Sequence, residues 1–289
     1  MPVIQIPLNV SGFWVPRIGR SHETTGSLGA SLTLEPPVVF RIGAGSCPLV
    51  VNGICLDDYH PLVRELSSLG VSIHGASPVP LGVGSAVSGA IALALAYSYL
   101  YLRKGGRPDS VEVGRLAHRV EVETGGGLGD VICQITGGGL VVRTRPGPPG
   151  IGEAVPVPVE RDVEVTLGVM EDRMTTRDML RRYMEAFASV GSKVYKEFLG
   201  EPSLESFLRL SLEFSTAVGF MTPWLREILA KRLGGLGDGV LGYFAKKSLL
   251  VVVHRPNMGP QVRGALKGLC RYSLLPFKLS RHGFTVSPW

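Results

Sequence analysis

Pro78-Val79-Pro80-Leu81-Gly82-Val83-Gly84-Ser85-Ala86-Val87-Ser88 runs directly into Gly89-Ala90-Ile91-Ala92-Leu93-Ala94-Leu95-Ala96-Tyr97. Small, permissive residues followed at once by strong helix formers describe a glycine-rich loop feeding the N-terminus of a buried helix. The first backbone N–H groups of such a helix have no internal partner, and with the positive end of the dipole they bind phosphate. Further on, His118-Arg119-Val120-Glu121-Val122-Glu123-Thr124-Gly125-Gly126-Gly127-Leu128-Gly129-Asp130 sets carboxylates on both sides of a glycine run. Phosphoryl transfer needs one group to hold magnesium and another to orient or deprotonate the accepting hydroxyl, and carboxylates commonly do both. Glu121 and Asp130 supply such a pair. Each segment alone has a plainer reading: a tight turn before a core helix, or a solvated helix end and a turn. Together they argue for nucleotide-dependent phosphoryl transfer.

The elements that must carry these groups follow from local pattern. Val38-Val39-Phe40-Arg41-Ile42 and Leu49-Val50-Val51-Asn52-Gly53-Ile54-Cys55 are rich in β-branched residues, and Asn52-Gly53 is a hairpin signal. Pro61 to Leu69 reads as a short helix, Val111 to Val122 as another, and Leu140 to Thr144 as a strand. Prolines and glycines crowd together between Pro146 and Arg161, which sets a boundary between a domain at 1–155 and one at 156–289. Beyond it, Val163 to Val169 is a strand, Thr176 caps a helix through Ala188, and Ser203 begins another. Pro223 fits the first turn of a further helix, and Ser248 to His254 is a buried strand. The fold class is α+β, with no internal repeat.

Composition narrows the function. The chain has 289 residues, 45% hydrophobic and 19% charged, which is that of a globular protein. A formal charge of +6 suits anionic small ligands but is modest for a nucleic-acid binder, and the basic residues are scattered. The cluster Arg255, Arg263, Lys267, Arg271, Lys278 and Arg281 reads as a solvated face, so no nucleic-acid partner is expected. Cys47, Cys55, Cys133 and Cys270 lack zinc-site spacing; a reduced cytoplasm is the default, with a Cys47–Cys55 bridge left open. Met1-Pro2-Val3-Ile4-Gln5-Ile6-Pro7 reads as a strand, not a secretory signal. No residue from Gly75 to Leu102 is charged, but the prolines and glycines at its start leave a core helix, not a membrane span. There is no GxxxxGK[ST], HExxH or GxSxG, and the GxGxxG of Gly237-Asp238-Gly239-Val240-Leu241-Gly242 follows a helix instead of a strand.

The chain resembles the GHMP kinases, whose phosphate loop reads as a proline, three intervening residues and then Gly-Leu-Gly-Ser-Ser, as Pro78 stands to Gly82-Val83-Gly84-Ser85. Four segments bring it nearest to the archaeal pantoate kinases of that superfamily: Pro7 to Pro16, Thr25 to Ala30, Ala117-His118-Arg119-Val120-Glu121-Val122-Glu123 with Gly129-Asp130-Val131, and Gly137 to Arg143 with Pro146 to Glu153. The likeness is dense over about the first 155 residues and thins afterwards. It implies a two-domain fold, ribosomal S5 domain 2-like and then ferredoxin-like, with ATP and Mg2+ as cofactors. It lays the nucleotide over Pro80, Leu81, Gly82, Val83, Gly84, Ser85, Ala86 and Ser88, the metal on Glu121 and Ser85, and the catalytic base on Asp130. Pantoate is the implied acceptor, its carboxylate met by Arg143, with Arg17, Arg20 and His22 in reserve; Ser27 and Thr176 are candidates to contact pantoate hydroxyls or phosphate, and Asn9 is a further substrate-binding candidate.

The chain also departs from the pattern. Asn9 stands where a histidine is usual, Ala86 replaces the loop's second hydroxyl, and the first basic side chain is Arg17. Only Gly234 to Gly239 offers a counterpart to the third glycine motif. Other readings stay open: a GHMP enzyme acting on homoserine, shikimate, mevalonate or a sugar, or a non-catalytic S5-like binding protein. A homodimer is also left open.

Overall fold

The computed structural model describes residues 2–170, 176–274 and 276–287. The apolar run at the start of the chain forms β1 (Val3–Arg17), paired antiparallel along its length with β2 (Gly26–Gly43). All of β1 except Gln5 and Arg17 is buried, so both faces of this strand are covered. The chain continues through β3 (Leu49–Val51), β4 (Ile54–Cys55), α1 (Pro61–Ser68) and β5 (Ser72–Ala76). Asn52 and Gly53 both take positive φ, 50° and 78°, as the β3–β4 turn requires. Cys47 and Cys55 are joined by a disulfide.

Next come α2 (Val87–Lys104), α3 (Ser110–Thr124), α4 (Asp130–Thr136), β6 (Leu140–Arg145) and β7 (Glu153–Val157). From Val87 to Ser98 every residue of α2 but Ser88 is buried, as expected of a helix that is apolar all round. Among the described residues no helix is long and apolar enough to cross a membrane.

The second half adds β8 (Glu164–Val169), α5 (Thr176–Gly200), α6 (Leu204–Ala217), α7 (Pro223–Gly234), β9 (Val240–Lys246), β10 (Leu249–His254) and α8 (Gly259–Leu266). It closes with the short strands β11 (Tyr272–Ser273), β12 (Phe277–Leu279) and β13 (Thr285–Ser287). Thr222 caps α7 with Pro223 in its first turn, and Ser203 caps α6. α5 runs on to Gly200, past the predicted end at Ala188. Gly191 looks like a break in the sequence, yet within the helix its missing side chain lets α5 approach the backbone of Trp14.

One sheet runs β4-β3-β5-β2-β12-β8-β10-β9, with β1 joining β2 to β13 and β6 joining β2 to β7. β12 lies between the halves, Leu279 opposite Leu34 and Phe277 opposite Val165. Near its start β1 meets α4, where Gln134 Nε2 donates to the Pro7 carbonyl at 2.9 Å. Toward its end it meets α5 and α6: Trp14 lies 4.7 Å from Phe187 and 4.9 Å from Phe214, ring centre to ring centre. Burying one such ring contributes roughly 1.5–3 kcal/mol, so this aromatic knot fixes the second half against the strand that carries Asn9 and Trp14.

Candidate active site

α2 starts without a side-chain cap. Ala86, at φ 57° and ψ 34°, takes the cap position, and its methyl group offers no oxygen. The first N–H groups of the helix therefore face a cavity of about 270 Å3 bordered by Gly82, Gly84, Ser85 and Ser88. Val83 anchors the loop in the core. Gly84 has φ 113°, and a Cβ there would press to within 3.0 Å of the Lys246 carbonyl, so the loop lies tightly against the β9–β10 turn.

Asp130 lines the same cavity and Glu121 stands directly behind it, the two carried by successive helices. Glu121 lies in the last turn of α3, which Gly125 ends in the left-handed conformation. The chain then folds back so that the Gly127 N–H donates to Glu121 Oε2 at 2.7 Å, with the Ser88 hydroxyl on the same oxygen at 3.3 Å. A side chain at Gly126 would overlap Glu121, and one at Gly127 would overlap Asp130, which explains the glycine run. Burial, reinforced by the charge of Asp130, pushes the Glu121 carboxyl up to about 8. Asp130 is the first residue of α4, where the helix dipole favours a carboxylate. Asn9 Nδ2 donates to its Oδ1 at 2.7 Å. Gln134, a turn later, also donates to the Ala86 carbonyl at 3.0 Å, tying α4 to the start of α2.

Three side chains bring positive charge. Arg143 on β6 is buried, and its Nη1 donates to Ser31 Oγ at 3.3 Å and to Cys133 Sγ at 3.2 Å. Lys246, at the end of β9, places Nζ 4.0 Å from Asp130 Oδ1 and 5.9 Å from the ring centre of Trp14. Lys247 follows at φ 53°. Burial lowers both ammoniums, Lys247 to about 8.

Several buried polar atoms on this cavity or directly behind it have no protein partner: Ser85 Oγ and Arg143 Nε on its lining, Glu121 Oε1 and Asn9 Oδ1 behind it. Buried polar groups are normally paired, so these point to ligands. Two hard oxygens, one from a carboxylate and one from a hydroxyl, fit a magnesium ion that takes its other ligands from water and phosphate. An unpaired guanidinium N–H fits a carboxylate. Among the described residues no group of three or more His, Cys, Asp or Glu forms a self-sufficient metal cage.

Residues 54–138 match the model of the GHMP kinases N terminal domain. Over 247 residues the chain is 32% identical to the pantoate kinase of Thermococcus kodakarensis, covering 77% of this chain and 78% of that protein. The chain belongs to the GHMP kinase family. It is also 29% identical over 234 residues to the pantoate kinase of Methanocaldococcus jannaschii, covering 77% and 82% of the two. A solved structure described as a phosphotransferase related to the CoA biosynthesis pathway superposes with a TM-score of 0.81 over 100% of this chain and 99% of that one. At 24% identity that likeness speaks for the fold, which is the α+β fold of GHMP kinases.

In this GHMP kinase the cavity gathers most of the residues singled out by sequence: Gly82, Gly84, Ser85, Ala86, Ser88, Asp130, Arg143 and Ser27 line it. Glu121 and Asn9 stand directly behind, bonded to lining groups. Pro80 and Leu81 shape the loop without lining the cavity. Arg20 and His22 do not reach it either: β1 and β2 run past Trp14 and Ser27 before they turn, which leaves Arg20 exposed, and His22 offers its carbonyl to His118 Nε2 at 3.0 Å. Thr176 opens α5, and its side chain lies outside the described part. No residue from Gly234 to Gly239 lines the cavity; the Lys246-Lys247 turn does, together with Ser11, Trp14, Tyr59 and Met179. The signal for the lysines was a charged pair between two apolar strand-like runs, Tyr243-Phe244-Ala245 and Ser248 to Val253, which is how a tight hairpin turn reads.

Proposed function

We propose that this chain is a pantoate kinase, transferring the γ-phosphoryl group of ATP to the primary hydroxyl of pantoate in the cytoplasm, as a step of coenzyme A biosynthesis. The observation that carries the reading is Arg143, a buried guanidinium with an unpaired Nε on the same cavity as Asp130, which suits an acceptor bearing a carboxylate. The relatives named pantoate kinase support that choice. So does the apolar wall of Trp14 and Met179, which suits the two methyl groups of pantoate and has no such partner in homoserine or a sugar.

The N–H groups of the Gly82–Ser85 loop and the start of α2 bind the phosphates of ATP. Glu121 and Ser85 would hold magnesium, which when bound draws negative charge off the phosphate oxygens. Asp130, oriented by Asn9, accepts the proton of the pantoate hydroxyl as the new O–P bond forms and the bond to the ADP oxygen breaks. Arg143 fixes the acceptor by its carboxylate, and Ser27 takes a pantoate hydroxyl. The products are 4-phosphopantoate and ADP.

The test is ADP release by the purified protein with magnesium and ATP against pantoate, homoserine, shikimate, mevalonate and galactose. Release that depends on pantoate alone is expected. Turnover with a different acceptor, and none with pantoate, refutes the choice of substrate.

A further inference from the structure

The β9–β10 turn delivers a cation to the reacting centre from the half of the chain that does not carry the carboxylates. Lys246 has a side chain only 8% exposed, yet its closest carboxylate oxygen, Asp130 Oδ1, lies at 4.0 Å, beyond hydrogen-bond distance. Among the described residues nothing else pairs with its ammonium except the face of Trp14, 5.9 Å away, a contact that holds the charge in place without neutralising it. Burying an ammonium in this way is unfavourable unless an anion arrives.

The surroundings define that anion. The phosphate loop packs on the backbone of this same residue, through Gly84 and the Lys246 carbonyl. Asp130, 4.0 Å from the ammonium, is the base that the kinase reading assigns to the accepting hydroxyl. Lys246 thus links the glycine loop, which touches its backbone, to Asp130, which its ammonium approaches. Arg143 is not its equivalent, because its Nη1 is committed to Ser31 and Cys133. With Lys247 alongside, three basic side chains, Arg143, Lys246 and Lys247, line the cavity, against Asp130 as its lining carboxylate.

We propose that the Lys246 ammonium contacts the phosphoryl group during transfer and stabilises the negative charge on its equatorial oxygens, which makes Lys246 a catalytic residue. This rests on the kinase reading above. As the acceptor oxygen bonds to the γ-phosphorus, the bond to the β-phosphate oxygen of ADP breaks and the hydroxyl proton passes to Asp130. Lys246 keeps all its protons throughout.

The experiment compares wild type with Lys246→Met, which keeps length and volume and removes the charge, and with Lys246→Gln as a second uncharged variant. Steady-state kinetics are read beside ADP affinity by calorimetry. The expected result is a fall in kcat of roughly 10²–10³-fold, the scale of losing one preorganised charge partner of a transition state. KM for pantoate should stay within about threefold, and ADP should bind as before, which also reports that each variant has folded. A kcat within about threefold of wild type in a variant that binds ADP overturns the proposal. So does a raised KM with unchanged kcat, because Lys246 would then serve ground-state binding only. If neither variant binds ADP, the buried charge serves the fold or the ground-state nucleotide site, and the proposal is likewise overturned. Failure of the pantoate reading looks different: wild type itself would be silent with pantoate, and the comparison moves to the acceptor it does use. Silence with every acceptor overturns both.

Discussion

Replacing Glu121 by Gln should stabilise the magnesium-free protein, and the gain should grow with pH. Gln keeps the shape, and its carbonyl still accepts from the Gly127 N–H, but it has no charge to bury. The Glu121 carboxyl sits at about 8 in the folded chain against an ordinary 4.5, because it is desolvated and faces Asp130. The folded state therefore holds this proton more tightly than the unfolded state. Its contribution is fully present below pH 4.5 and is lost as pH rises toward 8. Integrated from pH 5 to pH 8, the loss in wild type is about 3 kcal/mol, or roughly 5–10 °C in Tm for a chain of this size. Thermal unfolding of both proteins in EDTA, followed by circular dichroism at several pH values, reads this directly. The two curves should lie close at pH 5 and separate steadily up to pH 8. Saturating magnesium should close the gap by stabilising wild type, whose carboxylate binds the metal once its proton has left. Curves that run parallel across the range, or a variant that loses stability as fast as wild type, would refute the assignment of Glu121 as a buried, metal-seeking carboxylate.

Three further outcomes are expected. Asp130→Asn should lower turnover by roughly 10²–10⁴-fold, the range for a lost general base, with Tm and ADP affinity close to wild type; rapid-quench measurement of a single turnover would separate this from slow product release. Arg143→Lys should raise KM for pantoate by roughly 10–100-fold, as loss of a charged hydrogen bond costs about 1.5–3 kcal/mol, while leaving KM for ATP unchanged. Equal effects on both KM values would contradict the division of the cavity into two ends. Reducing the Cys47–Cys55 disulfide should cost about 2–3 kcal/mol by freeing a short loop in the unfolded chain. It should leave kcat unaltered, because neither cysteine lines the cavity, and denaturant titration with and without reductant checks both statements.

How far the sequence disclosed the site depended on how local each feature is. The phosphate loop and the Glu121-to-Asp130 block could be read because contiguous residues carry them: each glycine that leaves room for a carboxylate lies within a few positions of it. Arg143 was legible for a related reason, since β6 follows α4 closely and brings the residue back beside Asp130. Arg20 and His22 drew attention by nearness in sequence to Thr25 and Ser27, but the length of the β1–β2 hairpin carries them away. The extent of α5 was hidden by Gly191, which in isolation suggests a stop and in the fold is a contact with β1.

Lys246 shows what long-range packing hides. The absence of a basic residue before Arg17 was visible in the sequence, but which distant residue supplies the charge depends on where the β9–β10 turn lands. That landing is set by partners from several elements at once: β10 pairing with β8, α6 packing on β9, and the aromatic contacts of Trp14 with α5 and α6. No short window of sequence contains them together. The same dependence has a functional consequence. Asn9 and Trp14 come from the first strand, the loop and Asp130 from the α2–α4 region, and Lys246 from the second half, so the charge balance of the cavity exists only when both halves are docked. A chain loosened at the Trp14 cluster would keep its glycine loop and both carboxylates yet lose the cation opposite Asp130. Phe187→Ala should therefore reduce kcat by more than it reduces ADP affinity, since the loop that binds phosphate lies in the first half while Lys246 is held in place by the second. A larger loss of ADP affinity than of kcat would mean that the nucleotide, and not the transfer step, depends on docking.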